Sequence, residues 1–286
     1  MRWEGGRESG NVEDRRGMSV GRGVAGGGIG VIIIAVIAMF MGVDPNIILE
    51  GAKQLEAPQS QTPTGNYKGT TEEEKLKQFV SVVLADTEDT WRGLFQKAGR
   101  QYQDPRLVLF TGAVDSACGT ANSAVGPFYC PGDQKVYIDL GFYRELRDRF
   151  KAPGEFAQAY VLAHEVGHHV QNLLGISEQV QRAQSRMGQA QANALSVRVE
   201  LQADCFAGVW ANNANRTRSM IENGDVEAAL NAAAAIGDDR LQRQARGTVS
   251  PESFTHGTSE QRMRWFKRGL ESGSVQACDT FKAAQL

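Results

Sequence analysis

The sequence predicts an α+β fold class: a mostly helical domain with a small sheet, preceded by one N-terminal transmembrane helix. Three observations predict it. Val24–Val43 is a run of twenty residues without a charge, and at about 1.5 Å per residue such a helix matches the hydrocarbon thickness of a bilayer. Beyond Thr70, apolar residues recur at helical spacing over long stretches. Only two short β-type runs, Leu107–Phe110 and Val136–Leu140, stand between them, and no strand–helix–strand alternation follows.

The chain has 286 residues and a formal net charge of −2, with its 22% charged residues spread along its length. That balance leaves no basic footprint and argues against nucleic acid as a partner. Residues 1–22 read as a cytoplasmic N-terminal segment, because Arg2, Arg7, Arg15, Arg16 and Arg22 precede the apolar run and positive flanks stay inside. Residues 23–43 read as an uncleaved signal anchor in the bilayer, since Val43-Asp44-Pro45 is no small-residue cleavage site. Residues 44–70, rich in Pro, Gln, Thr and Gly, read as a flexible linker. Residues 71–286 would then form a folded domain on the periplasmic or extracellular side of the cytoplasmic (inner) membrane.

Within that domain, Thr71 and Glu74 form a candidate capping box for a helix reaching about Gly99. An amphipathic stretch covers Phe142–Phe150, and a helix from about Pro153 to Leu174 ends at Gly175. Further helical patterns cover Glu178–Met187, Leu195–Asn212, Val226–Gln244 and Ser259–Leu270.

His164-Glu165-Val166-Gly167-His168 is an H-E-x-x-H pattern on the Pro153–Leu174 helix. Residues four apart share a helix face, so His164 and His168 can grip one ion, and Glu165, about 100° round, can reach a water beside it. The chain has only four histidines, and three fall in this cluster; the flanks AYVLA and VQNLL make the helix a burying one, where unpaired imidazoles are costly. A catalytic zinc needs a third protein ligand. Glu200 and Asp204 stand four apart in SVRVELQADCFAGVW, an otherwise apolar helix, and two carboxylates there require a cation or donors. Glu200 as ligand and Asp204 as acceptor for a histidine N–H meet that requirement. His169 faces away from the pair. His256 is a candidate donor to a tetrahedral oxyanion, with a helix-terminus contact or a plain surface histidine as the alternatives.

The four cysteines, Cys118, Cys130, Cys205 and Cys278, allow three pairings, and outside the cytoplasm an even number favours disulfides. A Cys118–Cys130 bond would close a thirteen-residue loop, and Cys205–Cys278 would tie the Glu200 helix to the C-terminal tail.

HEVGH followed by ELQAD resembles the gluzincin pattern, H-E-x-x-H then E-x-x-x-D. The resemblance implies a zincin-like fold and one zinc ion on His164, His168 and Glu200, with Asp204 orienting His164. PFYCPGDQKVYIDLGFY looks like the segment upstream of the zinc helix in peptidases of the HtpX class, where an edge strand, a tight turn and a second strand form. Peptide substrates commonly add a strand to an exposed sheet edge, and Phe128, Tyr129 and Cys130 are the candidate edge, with ordinary sheet packing as the alternative. THGTSEQR resembles their T-H-P-x-x-x-x-R stretch, matched at His256 and Arg262, with Gly257 in place of proline. The opening MRWEGGRESGNVEDRRG, the apolar run and HEVGHHVQ look closer still to the bacterial YpfJ-type neutral zinc metallopeptidase family, over essentially the whole chain. The expectation is a zinc metalloendopeptidase acting on peptides or proteins, attached to the lipid bilayer. A zinc-stabilised peptide-binding or chaperone-like module without catalysis is the first alternative. A membrane adaptor whose HEVGH is fortuitous is the second.

Overall fold

The computed structural model describes residues 1–18 and 67–286. The expected anchor, 23–43, and residues 44–66 of the expected linker lie outside the described residues. Among the described residues no helix is long and apolar enough to cross a membrane.

The sheet has four strands in the order β1-β2-β6-β5: β1 (Val12–Asp14), β2 (Arg106–Phe110), β6 (Lys135–Asp139) and β5 (Phe128–Cys130). β1 and β6 flank β2 in parallel, while β5 runs antiparallel to β6 and forms the free edge on that side. A separate hairpin joins β3 (Ala113–Ser116) to β4 (Gly119–Asn122). Both faces of the two central strands are covered, which explains why Leu107–Phe110 is apolar without alternation. Leu107, Leu109, Val136 and Ile138 pack on the helices, while Val108, Phe110 and Tyr137 pack with Val114 and Ala121 of the hairpin.

Eight helices complete the described residues: α1 (Thr71–Lys97), α2 (Gly141–Asp148), α3 (Glu155–Leu173), α4 (Ile176–Gln184), α5 (Gln189–Arg218), α6 (Asp225–Ala235), α7 (Asp238–Arg246) and α8 (Ser259–Ser272). α3 and α5 cross at the centre, and α8 packs along α5 with Gly208 and Gly269 at the closest approach. Trp91, Trp210, Trp265 and Phe206 fill the space between the helices, each at most 1% exposed; every such side chain contributes roughly 1.5–3 kcal/mol by leaving water.

Several boundaries differ from the sequence reading. The capping box is Thr70 with Glu73, one residue earlier, because Thr70 takes the extended backbone a cap requires. The helix read as Leu195–Asn212 spans Gln189–Arg218. The single helix read over Val226–Gln244 is two, α6 and α7, broken at Gly237, which lies against the Ser259 backbone where a side chain has no room.

The largest correction concerns the N-terminus. Residues 1–18 are not a segment apart but part of the domain. β1 adds to the sheet edge, and Trp3 is buried against Phe79 with ring centroids 5.3 Å apart. Glu88 of α1 is 1% exposed, and its hydrogen-bond donors all come from this segment: Ser9 Oγ at 2.5 Å, Asn11 Nδ2 at 2.8 Å and Arg7 at 3.2 Å. A buried carboxylate without such donors would cost several kcal/mol, so α1 is built to receive these residues. The Arg16 guanidinium is buried between Asp14 and Glu74 and lies 5.2 Å from the centre of the Tyr67 ring. Gly17 and Tyr67 therefore lie side by side. Arg7, Arg15 and Arg16, counted in the sequence as flanking charges, are all paired within the domain.

Candidate metal centre

α3 carries His164, Glu165 and His168, and α5 carries Glu200 and Asp204. The helices can approach because of Gly167, where a Cβ would sit 3.0 Å from the Ala203 carbonyl oxygen and 3.1 Å from its Cα. This close approach brings the carboxylates of α5 to the imidazoles of α3. His164 Nε2 lies 3.1 Å from Glu200 Oε2 and His168 Nε2 lies 3.5 Å from Glu200 Oε1. One ligand atom from each of the three residues lies within 4.8 Å of the others.

The other nitrogen of each imidazole is already committed. His164 Nδ1 donates to Asp204 Oδ1 at 2.8 Å, and His168 Nδ1 donates to Gln171 Oε1 at 2.9 Å. Both rings therefore turn the lone pair of Nε2 toward the Glu200 carboxylate. Two lone pairs and a carboxylate in a buried site repel unless a cation or protons stand between them. The donor set, two imidazoles and one carboxylate with both imidazoles oriented from behind, fits zinc. In the metal-free chain, burial opposes protonation of His164, but Asp204 and Glu200 override it and push its pKa up to about 10. Burial likewise opposes His168, yet Glu200 raises it.

Asp204 is completely buried. It accepts from the Tyr160 hydroxyl at 2.5 Å and from Arg262 Nε and Nη2 at 2.9 Å each, a two-pronged pair that holds the carboxylate in register with His164. Burial raises the Asp204 pKa, but Arg262 and His164 bring it below the ordinary aspartate value. Glu165 lies beside the imidazoles, and burial pushes its carboxyl above the usual glutamate range.

Tyr160, His164, Glu165, His168, Glu200 and Arg262 line a cavity of about 620 Å³. Phe128 and Tyr129 of β5 border it on one side, and Phe142, Phe150 and Val161 give it apolar walls. Tyr129 is tied to the metal helix: its hydroxyl lies 3.0 Å from Nδ1 of His169, whose Nε2 donates to the Gln103 carbonyl at 2.6 Å. His169 thus stands outside the ligand cluster and links the edge strand to α3. Cys130, the last residue of that strand, is bonded to Cys118, and Cys205 is bonded to Cys278.

His256 also lines the cavity. Its Nδ1 faces Asp238 Oδ1 at 3.1 Å, and Asp238 Oδ2 accepts the backbone N–H groups of Thr255, His256 and Gly257 at 2.8, 2.6 and 3.0 Å. Sequence reasoning missed Asp238, Tyr160 and Gln171. Gln171 had a readable signal, three residues beyond His168 and seven beyond His164 on the same helix face. Asp238 had none, since only the fold brings the start of α7 to the Thr255–Gly257 loop.

The family described as "Putative neutral zinc metallopeptidase" matches residues 1–281. The chain belongs to that zinc metallopeptidase family. The uncharacterized protein YpfJ of Escherichia coli (strain K12) is 51% identical over 290 residues, covering 98% of this chain and 99% of its own. The uncharacterized protein Mb2605 of Mycobacterium bovis is 39% identical over 259 residues, covering 87% of this chain and 86% of its own. No solved structure matches the chain. The family match includes the docked N-terminal residues, so residues 1–18 fall within the family's shared extent.

Proposed function

We propose that this family member is a zinc-dependent endopeptidase of the gluzincin type, holding one zinc ion on His164, His168 and Glu200. The observation that carries the reading is the convergence of both Nε2 atoms on the Glu200 carboxylate, with Glu165 beside them in an open cavity. A purely structural zinc site has four protein ligands; the cluster found among the described residues has three, and Glu165 lines the same cavity.

Bound zinc would supply Lewis acidity, polarising a peptide carbonyl and making water a better nucleophile at neutral pH. Glu165 then takes the proton of the attacking water and passes it to the leaving amine; its raised pKa suits a group that must hold that proton between the two steps. His256, held by Asp238 and lining the same cavity, would donate to the developing oxyanion. β5 offers its free edge for a substrate strand, and the bond between Cys118 and Cys130 braces that edge.

The domain acts outside the cytoplasm in this reading, supported by two disulfides and no free cysteine. Attachment to a membrane is supported by the uncharged run Val24–Val43 of the sequence. Because residues 1–18 fold with the domain, the proposal puts them on the domain's side rather than in the cytoplasm.

Metal analysis and peptide hydrolysis of wild type and Glu165→Gln test the function. One zinc per chain in both, with hydrolysis by the variant reduced about 10²–10⁴-fold, is the expected result. A wild type that binds no zinc, or a variant that cleaves as fast as wild type, would end the proposal.

A further inference from the structure

The two histidines of the centre are held by different devices. His164 is backed by a carboxylate, itself locked by Arg262. His168 is backed by a neutral amide, and an amide has two ends. Which end of Gln171 faces the imidazole decides the tautomer of the ring. With Oε1 toward Nδ1, as found, Nδ1 carries the proton and Nε2 is free to ligate. With the amide reversed, its N–H would face Nδ1, the ring proton would move to Nε2, and the metal-facing nitrogen would be blocked.

The orientation of Gln171 is set by what its nitrogen meets. Nε2 donates to the Val199 carbonyl at 2.7 Å and to Gln202 Oε1 at 3.0 Å. Gln202 has the same ambiguity, and it is resolved by the Cys278 carbonyl, which accepts from Gln202 Nε2 at 3.0 Å. Gln171 and Gln202 are both buried, so no water competes for either amide. The two amides run head to tail, and each polarises the next. The chain of hydrogen bonds thus ends at the backbone of Cys278, in a short 3₁₀ turn, Val275–Cys278, beyond α8. That turn is held to α5 by the Cys205–Cys278 bond, with Thr280 Oγ1 donating to the Arg198 carbonyl at 2.7 Å next to it.

We infer that the Cys205–Cys278 disulfide positions His168 through Gln202 and Gln171, so that zinc affinity, and not only the stability of the fold, depends on that bond. The inference rests on the zinc reading given above. Gln171 and Gln202 are positioning residues; neither touches substrate. Without the bond the Cys278 carbonyl loses its covalent tie to α5 and is held only through the neighbouring Thr280–Arg198 hydrogen bonds, so the acceptor that orients Gln202 is less closely placed and Gln171 relies more on the Val199 carbonyl. The Cys118–Cys130 bond, by contrast, has among the described residues no hydrogen-bond path of this kind to His164 or His168, and it serves as the comparison.

The test uses the full chain. Zinc affinity is read by competition with a chromogenic chelator, ligand geometry by the visible spectrum of the cobalt(II)-loaded protein, and stability by thermal melting without metal. The variants are Gln202→Met, which removes the amide at similar volume, the pair Cys205→Ser with Cys278→Ser, and the pair Cys118→Ser with Cys130→Ser. Gln202→Met and the Cys205/Cys278 pair are expected to weaken zinc binding about tenfold or more and to alter the cobalt spectrum. The Cys118/Cys130 pair is expected to melt earlier with affinity and spectrum unchanged. Should the Cys205/Cys278 pair fail to fold, Gln202→Met alone decides the question. Wild-type affinity and spectrum in Gln202→Met, or an equal loss of affinity in the Cys118/Cys130 pair, would overturn the inference while leaving the zinc site intact. A wild type that binds no zinc would instead remove the reading beneath it.

Discussion

Asp204 Oδ1 lies 2.8 Å from His164 Nδ1, and the same carboxylate is gripped by both prongs of the buried Arg262 guanidinium. Asp204 therefore has two tasks, orienting the His164 imidazole and neutralising a charge that has no access to water. Glu200, on the same helix one turn earlier, faces the Nε2 atoms of both imidazoles and, in the proposed reading, is a zinc ligand.

That difference separates their variants. Glu200→Ala is expected to abolish tight zinc binding and to lower the metal-free melting point less than Asp204→Ala does, since the carboxylate it removes pairs with imidazoles rather than with a buried guanidinium. Asp204→Ala strands Arg262 in the core, which costs about 3–5 kcal/mol, and the metal-free melting point should fall by many degrees. Circular dichroism melts with and without zinc measure both. Equal destabilisation by the two variants would contradict the roles assigned to them.

Gly167 supplies a second expectation. A methyl group there must push Ala203 away, and overpacking of this kind costs about 1–3 kcal/mol. The displacement falls between the helix that carries the imidazoles and the helix that carries the carboxylates. Gly167→Ala should therefore lose zinc affinity as well as stability, whereas Gly188→Ala, at the start of α5 with no atom in reach, should lose neither. Retention of full zinc affinity by Gly167→Ala would show that the site tolerates a wider gap between the helices.

The residues the sequence revealed and those it hid differ in how far apart in the chain their partners lie. HEVGH could be read because one helix sets the spacing of both imidazoles, and Glu200 with Asp204 because two carboxylates on a burying helix need partners. Gln202 reads as an ordinary helix residue until the Cys278 carbonyl is placed opposite it, 76 positions away. β1 was hidden for another reason: Val12-Glu13-Asp14 is short and polar, and its charges look like a solvated tail. Only the parallel pairing with β2 and the ion pairs to Lys135 and Lys77 give them a structural purpose. The break at Gly237 was equally silent, because its cause is the backbone of Ser259 in a different helix.

The metal-free chain should show a bell-shaped dependence of stability on pH. The pKa of His164, about 10 in the fold, lies above its ordinary value of 6.5. Its contribution is therefore complete below about pH 6.5 and is lost as the pH rises through about 10. Asp204 and Glu200 lie below their ordinary values of 3.8 and 4.5, so their contribution is present above those values and lost as the pH falls. Maximum stability without metal is expected between about pH 5 and 6.5. Zinc replaces the protons between these groups, so the stabilisation it adds should grow from pH 6 to pH 8. Urea unfolding with a chelator and with saturating zinc measures both curves. A metal-free stability that rises steadily from pH 6.5 to 9 would contradict the assignment for His164.

The docked N-terminus makes a claim about membrane sidedness. Residues 17 and 67 are in contact: a Cβ on Gly17 would meet the Tyr67 ring, and Arg16 lies over that ring. Because residues 17 and 67 touch, residues 1–18 and 67–286 are expected to share one compartment. All four native cysteines are bonded, so an introduced cysteine is the one free thiol. Gly10, where a Cβ meets nothing within 4 Å, and the exposed Lys97 of α1 are suitable sites. In right-side-out membrane vesicles a membrane-impermeant maleimide should label Gly10→Cys and Lys97→Cys alike. Labelling of Lys97→Cys with Gly10→Cys protected until the membrane is opened would mean a single crossing. Glu88 would then be buried without Arg7, Ser9 and Asn11, and the N-terminal strand could not belong to the fold of the same chain.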